Sequence, residues 1–554
     1  MTLKLLKNAL DSKYIKYILE KWNMKKKDSW RFYIFSTEKH DYLFDCFSHK
    51  IYTINNDLSV FIRDNDYRAI KKYYKKFYKS VLKISSFHIK EQYNEKCNVT
   101  INLSNNCNLN CNYCYRCKTK KSSLTENNLT EIMDYITKIY DPDATEYAFS
   151  LCYTSESSFD LDKLKYFDYL SGQYERYLFD SRQITELKAE QLFYKLPHTI
   201  QTKWFSNDKD FIKMLNNILI NEELWKIYDY KQIEYLSKVL NDNINLSYSR
   251  KIMANRQILN KFFEEFNIET KIKYISMSFM TNGTNVTDEY IAFMKSILMD
   301  TIYVSIDGPQ FIHDANRKYF DSRGSFNDVI SGIEKLKQNG LKVIASVVIT
   351  PEYPELDKIV DYLISIGFET ISFNLVRGKT PKTQFSKESI DILLNSIRKL
   401  FDSFLNDFIE GKVSKELFAI KNTILFSALK KIYYRNYVTS RCTWGKELVI
   451  DSDGNLYHCN STIGYKEDLL GHYKDSKTRG RLLKIPNVQN FDRCKNCYAK
   501  YLCGGTCYAE MIYGNKQNED TECYFKKELI NENMNLYAKL YEASLLDDFI
   551  KVII

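Results

Sequence analysis

Val99-Thr-Ile-Asn-Leu103, followed by Cys107-Asn-Leu-Asn-Cys111-Asn-Tyr-Cys114, is the stretch from which the rest of the chain is read. Val99, Ile101 and Leu103 alternate with polar residues, which predicts a strand. The three cysteines follow with gaps of three and two residues. Thiolates at that spacing can bind one cubane iron–sulfur cluster. Three ligands leave one iron open, and an open coordination position is what catalysis at a metal requires. The position agrees, because the chemistry of parallel barrels gathers at the C-terminal ends of the strands. A Cys-x2-Cys pair alone would also suit a zinc ribbon or a redox pair. Cys117 lies outside the spacing and is not expected to be a ligand.

Beyond this stretch the pattern is strand, helix, strand. Strands are predicted at Val99–Leu103, Tyr147–Tyr153, Tyr274–Phe279, Thr301–Ile306, Lys342–Ile349 and Thr370–Leu375. Helical patterns occupy Leu124–Tyr140, Asp288–Met299, Phe326–Gln338 and Glu355–Ile366. Such repetition implies a parallel sheet with right-handed crossovers, and six units would make an α/β fold with a partial (β/α)6 TIM-like barrel. The connection after the second strand, about 158–270, is far longer than an ordinary βα loop and reads as a mostly helical insertion.

Toward the N-terminus the character changes. Arg31–Phe35, Tyr42–Phe44 and Lys50–Ile54 read as short strands, and Tyr67, Ile70, Tyr74, Phe77 and Val81 set the apolar face of a lysine-rich helix. Residues 1–98 carry 21 Lys/Arg against 11 Asp/Glu, which is the whole excess of a chain with net charge +10. This small α+β domain therefore suits an acidic partner, a peptide or a nucleic acid; the plainer alternative is a solvated face on a core helix.

The 554 residues are too many for one ordinary domain, and 44% hydrophobic with 27% charged residues is a globular balance that excludes a mainly disordered chain. No apolar run is long enough to span a membrane, and Met1–Trp22 lacks the form of a signal peptide, so a cytoplasmic location is expected. In a reducing compartment, clustered cysteines read as metal ligands rather than disulfides. Of fourteen, four lie within 107–117 and seven within 442–523; Cys46, Cys97 and Cys152 read as buried apolar thiols. The later group runs Cys442, Cys459, then Cys494-x2-Cys497-x5-Cys503-x3-Cys507, then Cys523. Zinc is the alternative occupant here, since Cys494-x2-Cys497 alone would suit it.

The loop Cys107–Cys114, with Tyr113 before its last cysteine, resembles the signature of the radical S-adenosylmethionine (SAM) superfamily. The resemblance implies a [4Fe–4S] cluster on Cys107, Cys111 and Cys114 that cleaves SAM to a 5′-deoxyadenosyl radical. Thr281-Asn-Gly-Thr284 resembles the family's third-strand turn, and Val304-Ser-Ile-Asp-Gly-Pro309 with Arg317 resembles its fourth strand and loop. Tyr113, Thr154, Ser155, Glu156, Thr281, Asn282, Ser305 and Arg317 are thereby implied to hold SAM. The family's Gly-Gly-Glu-Pro is Thr154-Ser155-Glu156-Ser157 here, which keeps the carboxylate and loses the glycines.

The later cysteines, with Gly454 five positions before Cys459, resemble the SPASM domain, an auxiliary-cluster extension of such enzymes. The family's division implies one cluster on Cys494, Cys497, Cys503 and Cys523 and another on Cys442, Cys459 and Cys507. No eighth cysteine precedes Cys442, so the second cluster has an open iron or a non-cysteine ligand. The expected organisation is residues 1–98 as a winged-helix-like, peptide-recognising domain, 99–430 as the barrel, 431–525 as the SPASM domain and 526–554 as a C-terminal helix. Together these resemble a peptide maturase that forms a thioether or carbon–carbon crosslink. Its implied partners are a precursor peptide with an acidic leader and an electron donor such as flavodoxin or ferredoxin. A sulfatase-maturating, formylglycine-generating enzyme is the alternative. A zinc-cluster nucleic-acid binder is the alternative from another class.

Overall fold

The computed structural model describes residues 32–54, 96–114, 122–142, 144, 146–152, 155–180, 274–297, 299–377, 382–441, 447–475, 477, 487–509 and 516–554. The lysine-rich helix expected over Tyr67–Val81, most of the expected insertion, Thr154 and Cys442 lie outside the described residues.

Three short strands come first: β1 (Phe32–Ser36), β2 (Asp41–Asp45) and β3 (Lys50–Ile54) form an antiparallel meander. A run of parallel strands follows. β4 (Lys96–Ile101), β5 (Glu146–Leu151) and β6 (Tyr274–Ser278) pair in that order. β7 (Met280–Thr281), β8 (Thr301–Ser305), β9 (Lys342–Ile349) and β10 (Ile371–Leu375) pair in that order in a second sheet. Only Phe279 separates β6 from β7, so the two sheets continue one sequence of parallel strands. This is the α/β alternation expected from the sequence. β4 begins three residues ahead of the expected strand, because Lys96–Asn98 already pair with Glu146–Ala148.

The periodicities that predict these elements are those the core uses. Along β9, Val343, Ala345, Val347 and Ile349 are buried at every second position. Helix α1 (Glu126–Tyr135) starts at a capping box of Thr125 and Asn128. Helix α2 (Leu161–Asp180), which the sequence assigned to the insertion, packs against α1 and β6 as an ordinary crossover helix. Helix α3 (Asp288–Ser296) is capped by the Thr287 hydroxyl, and α4 (Gln310–Asn316) follows β8. Helix α5 (Phe326–Gln338) turns Phe326, Val329, Ile333 and Leu336 inward. Helix α6 (Leu356–Ser365) leads to β10. Gly332 of α5 lies against the turn after β7; a Cβ there would sit 2.0 Å from the Gly283 carbonyl oxygen.

Helices α7 (Lys387–Ile409), α8 (Lys415–Ile420) and α9 (Ser427–Tyr434) lead into the cysteine-rich region. There β11 (Glu447–Ile450) pairs parallel with β4, and β12 (Asn455–Tyr457) and β13 (Leu469–His472) extend that sheet antiparallel. The parallel strands β4 to β6 and the cysteine-rich region thus share one sheet. The closing helices are α10 (Lys516–Glu542) and α11 (Leu546–Ile553). Helix α10 begins ten residues before the expected boundary at 526 and carries Cys523, so the last cysteine rides on the long helix. It packs on α7, where Arg398 pairs with Glu532 at 2.7 Å.

The N-terminal meander packs on this same region. Phe35, Tyr42, Phe44 and Cys46 share a core with Val488, Ala499, Tyr501, Leu502, Ile530 and Met534. Tyr33 stacks on Tyr498 with ring centroids 4.2 Å apart. The Tyr42 hydroxyl donates to Glu542 at 2.6 Å. Among the described residues no helix is long and apolar enough to cross a membrane.

Candidate functional site

The loop after β4 carries Cys107, Cys111 and Cys114, all partly exposed, as the order strand then loop requires. Backbone hydrogen bonds stitch it to the end of α4: Asn110 N–H donates to Lys318 O at 2.6 Å and Asn112 N–H to Asn316 O at 2.9 Å. The Asn112 side chain adds a bond to Ala315 O at 2.6 Å. On its other side the turn Thr281–Thr284 takes hold. Asn282 Nδ2 donates to Asn108 Oδ1 at 2.9 Å and lies 3.8 Å from Cys107 Sγ, while Asn108 Nδ2 donates to Thr284 Oγ1 at 2.8 Å. Gly283 in this turn has φ +77°, and a Cβ would stand 2.8 Å from Val304; glycine is needed there.

A buried charge network lies beneath the loop. Arg317 forks onto Asp307, Nε to Oδ2 and Nη2 to Oδ1, each at 3.0 Å. Asp307 also accepts from the Tyr113 hydroxyl at 2.6 Å and from Val348 N–H at 3.0 Å. The carboxylate is fully buried and is satisfied by four donors, as a buried anion must be. Arg317 stands over the Tyr113 ring, 5.4 Å from its centroid. Burial pushes the Cys111 thiol up to about 12; Arg317 pulls it down, and Cys114 and Cys107 push it further up, which places the three sulfurs and the guanidinium in one another's field. His313 beside this network is buried and held neutral at about 4, its ring bonded to Ser325 at 3.0 Å.

Glu156 is the third part of the site. Its backbone N–H donates to Asn106 O at 2.8 Å, and its carboxylate accepts from the Thr281 hydroxyl, from Asn282 N–H at 2.6 Å and from Ser158 N–H at 3.2 Å. Burial raises its pKa, and those donors hold it down. Glu156 thus ties the cysteine loop to the Thr281 turn. Ser155 donates to Asp160 at 2.7 Å, and Ser305 closes β8, buried and in register with Ser346. The structure gathers Cys107, Cys111, Cys114, Tyr113, Glu156, Thr281, Asn282 and Arg317; Ser155 and Ser305 lie at the neighbouring strand ends. Asp307, Asn108 and Thr284 are added by the fold. Asp307 lies inside the stretch Val304–Pro309 that the sequence singles out, but nothing local marks it as the partner of Arg317.

The second set of thiols is assembled differently. Cys494 and Cys503 come from two short helical turns, Cys497 from the link between them, and Cys523 from α10. Cys494, Cys497 and Cys503 pack on one core; burial pushes the Cys494 thiol up to about 11, and Cys497, Cys503 and Cys523 push it further. Two lysines lie beside them: half-buried Lys431 donates to Leu502 O at 2.8 Å and buried Lys500 to Lys495 O at 2.9 Å. Gly504, φ +72°, passes so close to Arg441 that a Cβ would meet its backbone nitrogen at 2.7 Å. Cys459 packs beside Cys507, apart from the four.

Both donor sets are thiols in groups, the chemistry that iron–sulfur clusters take, and at the first set Asn282 and the Leu109 N–H face the Cys107 sulfur. Among the described residues no three His, Cys, Asp or Glu side chains converge as ligands of one metal ion; thiols that share a cubane each meet a different iron.

The model of the radical SAM superfamily matches residues 228–363, a stretch that starts beyond the cysteine loop, so two separate portions of the chain point the same way. A cysteine-type anaerobic sulfatase-maturating enzyme of Clostridium novyi is 27% identical over 301 residues, 50% of this chain and 76% of that one. The serine-type enzyme of Bacteroides thetaiotaomicron is 26% identical over 41% of this chain and 59% of its own. Among solved structures, native anSMEcpe with bound AdoMet and Kp18Cys peptide shares the fold, with a TM-score of 0.50 and 16% identity over 81% of this chain and 99% of that one. These matches set aside the zinc-cluster nucleic-acid binder. Residues 228–363 thus match the radical SAM superfamily, and the chain is similar to sulfatase-maturating enzymes, which points to an enzyme with a [4Fe–4S] cluster and S-adenosylmethionine as cofactors.

Proposed function

We propose that this enzyme is a peptide maturase with two auxiliary clusters. The observation that carries the proposal is the gathering of Cys494, Cys497, Cys503 and Cys523, beside Cys459 and Cys507, in the chain that bears the Cys107–Cys114 loop. In this reading β4 to β10 are the wall of a partial (β/α)6 barrel, and Cys107, Cys111 and Cys114 hold the cluster at its mouth. Cys494, Cys497, Cys503 and Cys523 hold one auxiliary cluster, and Cys442, Cys459 and Cys507 hold the other, in a SPASM domain.

When bound, the cluster and S-adenosylmethionine supply a 5′-deoxyadenosyl radical that takes a hydrogen atom from a peptide carbon. The chain's residues prepare that step. Asn282 and Leu109 N–H, the latter at 3.4 Å, face the Cys107 sulfur, and the Arg317 cation faces Cys111. Both favour the thiolate state that a metal ligand needs. Tyr113, Thr154, Ser155, Glu156, Thr281, Asn282, Ser305 and Arg317 bind the methionine and ribose ends. Glu156 acts there by fixing the loop against the turn, and Asp307 by aiming Arg317. The basic N-terminal domain, winged-helix-like in outline, binds an acidic leader, and its packing on the cysteine-rich region supports a peptide route along that side. Closing a thioether or carbon–carbon bond would release one electron and one proton; the auxiliary clusters held by these cysteines would supply an electron acceptor, and a flavodoxin or ferredoxin would be the donor to the first cluster.

A second reading, formylglycine generation on a cysteine or serine, is favoured by the two sulfatase-maturating relatives. The test offers the reconstituted enzyme two peptides, one with an acidic leader and a short one with a Cys or Ser and no leader, and follows 5′-deoxyadenosine and peptide mass. A crosslinked product from the leader peptide alone is the expected result. An aldehyde on the short peptide establishes the second reading, and SAM cleavage without change in either peptide overturns both.

A further inference from the structure

Two residues beyond β10, at the C-terminal end of the last parallel strand, Arg377 reaches out of the strand array to the cysteine-rich region. Its Nη1 donates to Cys507 Sγ at 3.1 Å. Cys507 is buried, and its backbone N–H donates to Glu522 Oε2 at 3.0 Å. Glu522 in turn meets Lys526 Nζ at 2.8 Å and Arg377 Nη2 at 3.9 Å. One carboxylate and two cations therefore stand around the Cys507 sulfur, a net positive charge with one N–H aimed at the sulfur itself.

We propose that Arg377 sets the reduction potential of the auxiliary cluster to which Cys507 belongs, which rests on the proposal that Cys507 is a ligand. The couple takes up one electron, with no bond made or broken at Arg377. A guanidinium keeps its proton throughout, so the donor is constant. Reduction adds negative charge to the sulfurs, and a fixed N–H and a cation stabilise that form, which raises the potential. The four-thiol group is served otherwise: Lys431 and Lys500 spend a donor on backbone carbonyls. The cluster nearer the strand ends is then the better acceptor for an electron leaving the substrate. Arg377 is a positioning residue in this scheme, touching a ligand rather than the reacting atoms.

The experiment uses the full chain with Cys107, Cys111 and Cys114 changed to Ala, reconstituted so that only the auxiliary clusters remain, about eight irons per chain. Iron content and an EPR-monitored potentiometric titration are compared with and without Arg377→Leu and Arg377→Lys. The Arg377 side chain is half exposed, so neither change empties the core. The expected result is that Arg377→Leu moves one of two couples to more negative potential and leaves the other in place, with Arg377→Lys recovering part of the shift. No shift, a positive shift or equal shifts of both couples, at unchanged iron content, overturns the proposal alone. Loss of all iron in the parent triple variant overturns the auxiliary-cluster reading and this proposal together.

Discussion

The chain holds its thiols in two ways. Cys107, Cys111 and Cys114 occupy eight consecutive residues on one loop, and the fold needs only to brace that loop from both sides, through Asn282 and through Asn316 and Lys318. Cys494, Cys497, Cys503 and Cys523 span thirty residues and meet only because a long helix returns beside two short turns. A contiguous loop can present three ligands and still leave a position open. A set closed by a distant helix is suited to holding a cluster rather than exposing it. In the proposed function the first arrangement serves chemistry on a bound molecule, and the second serves storage or passage of electrons.

Removing each set breaks this comparison most directly. Changing Cys107, Cys111 and Cys114 to Ala is expected to lower SAM cleavage about a thousandfold or more, the loss of the several kcal/mol that a metal centre supplies. Quantitation of 5′-deoxyadenosine and iron checks it, and the iron should fall by about four per chain. Changing Cys494, Cys497, Cys503 and Cys523 to Ala should leave SAM cleavage measurable and lower peptide product about a hundredfold, the upper end for loss of supporting ligation. Equal loss of both readouts in this variant would erase the distinction between the two sets.

The brace beneath the loop comes next. Asp307→Asn leaves the Arg317 cation buried beside a neutral amide, and should cost about 3–5 kcal/mol, seen as a lower denaturation midpoint. The double variant Asp307→Leu with Arg317→Met should recover much of that stability, since a buried pair replaced as a unit is near neutral, while SAM affinity stays low. Gly283→Ala, at φ +77° and with Val304 at 2.8 Å, should cost about 1–3 kcal/mol and loosen the turn that faces Cys107. Its readout is a weaker SAM dissociation constant at full iron loading.

The smallest effect concerns the N-terminal sheet that packs against the four-thiol region. His49 is buried against Phe44 and Tyr437, and burial holds its imidazole down at about 4. The unfolded chain takes up this proton near 6.5 and the folded chain only near 4. The stabilisation is therefore complete above 6.5 and is lost as pH falls from 6.5 to 4. Urea midpoints across that range should decline, and His49→Leu should flatten the decline. Parallel curves for the two proteins would mean that His49 does not set the acid response.

Much of the site is legible along the chain because its ligands are local. The spacing Cys107–Cys114 after an alternating strand, and the block Cys494–Cys507, each place several donors within one turn or loop. The strand and helix assignments hold for the same reason, since periods of two and 3.6 are written in neighbouring residues, as in β9 and α5. The boundary of α10 is less legible: Lys516–Glu542 is polar on much of its surface, and its start shows no break near 526.

What the sequence by itself determined is the α/β repetition, the two thiol groups and the basic N-terminal segment, because each is a pattern of near neighbours. Only the tertiary structure decided that Asp307 aims Arg317 under Tyr113, that Glu156 ties the Asn106 loop to the Thr281 turn, and that Arg377 reaches Cys507 across 130 positions of chain. It also decided that the N-terminal meander rests on the cysteine-rich region. Each of these joins residues remote along the chain. Their pairing is set by the parallel strand order and by the need of every buried charge for a partner, and neither leaves a local mark in the sequence.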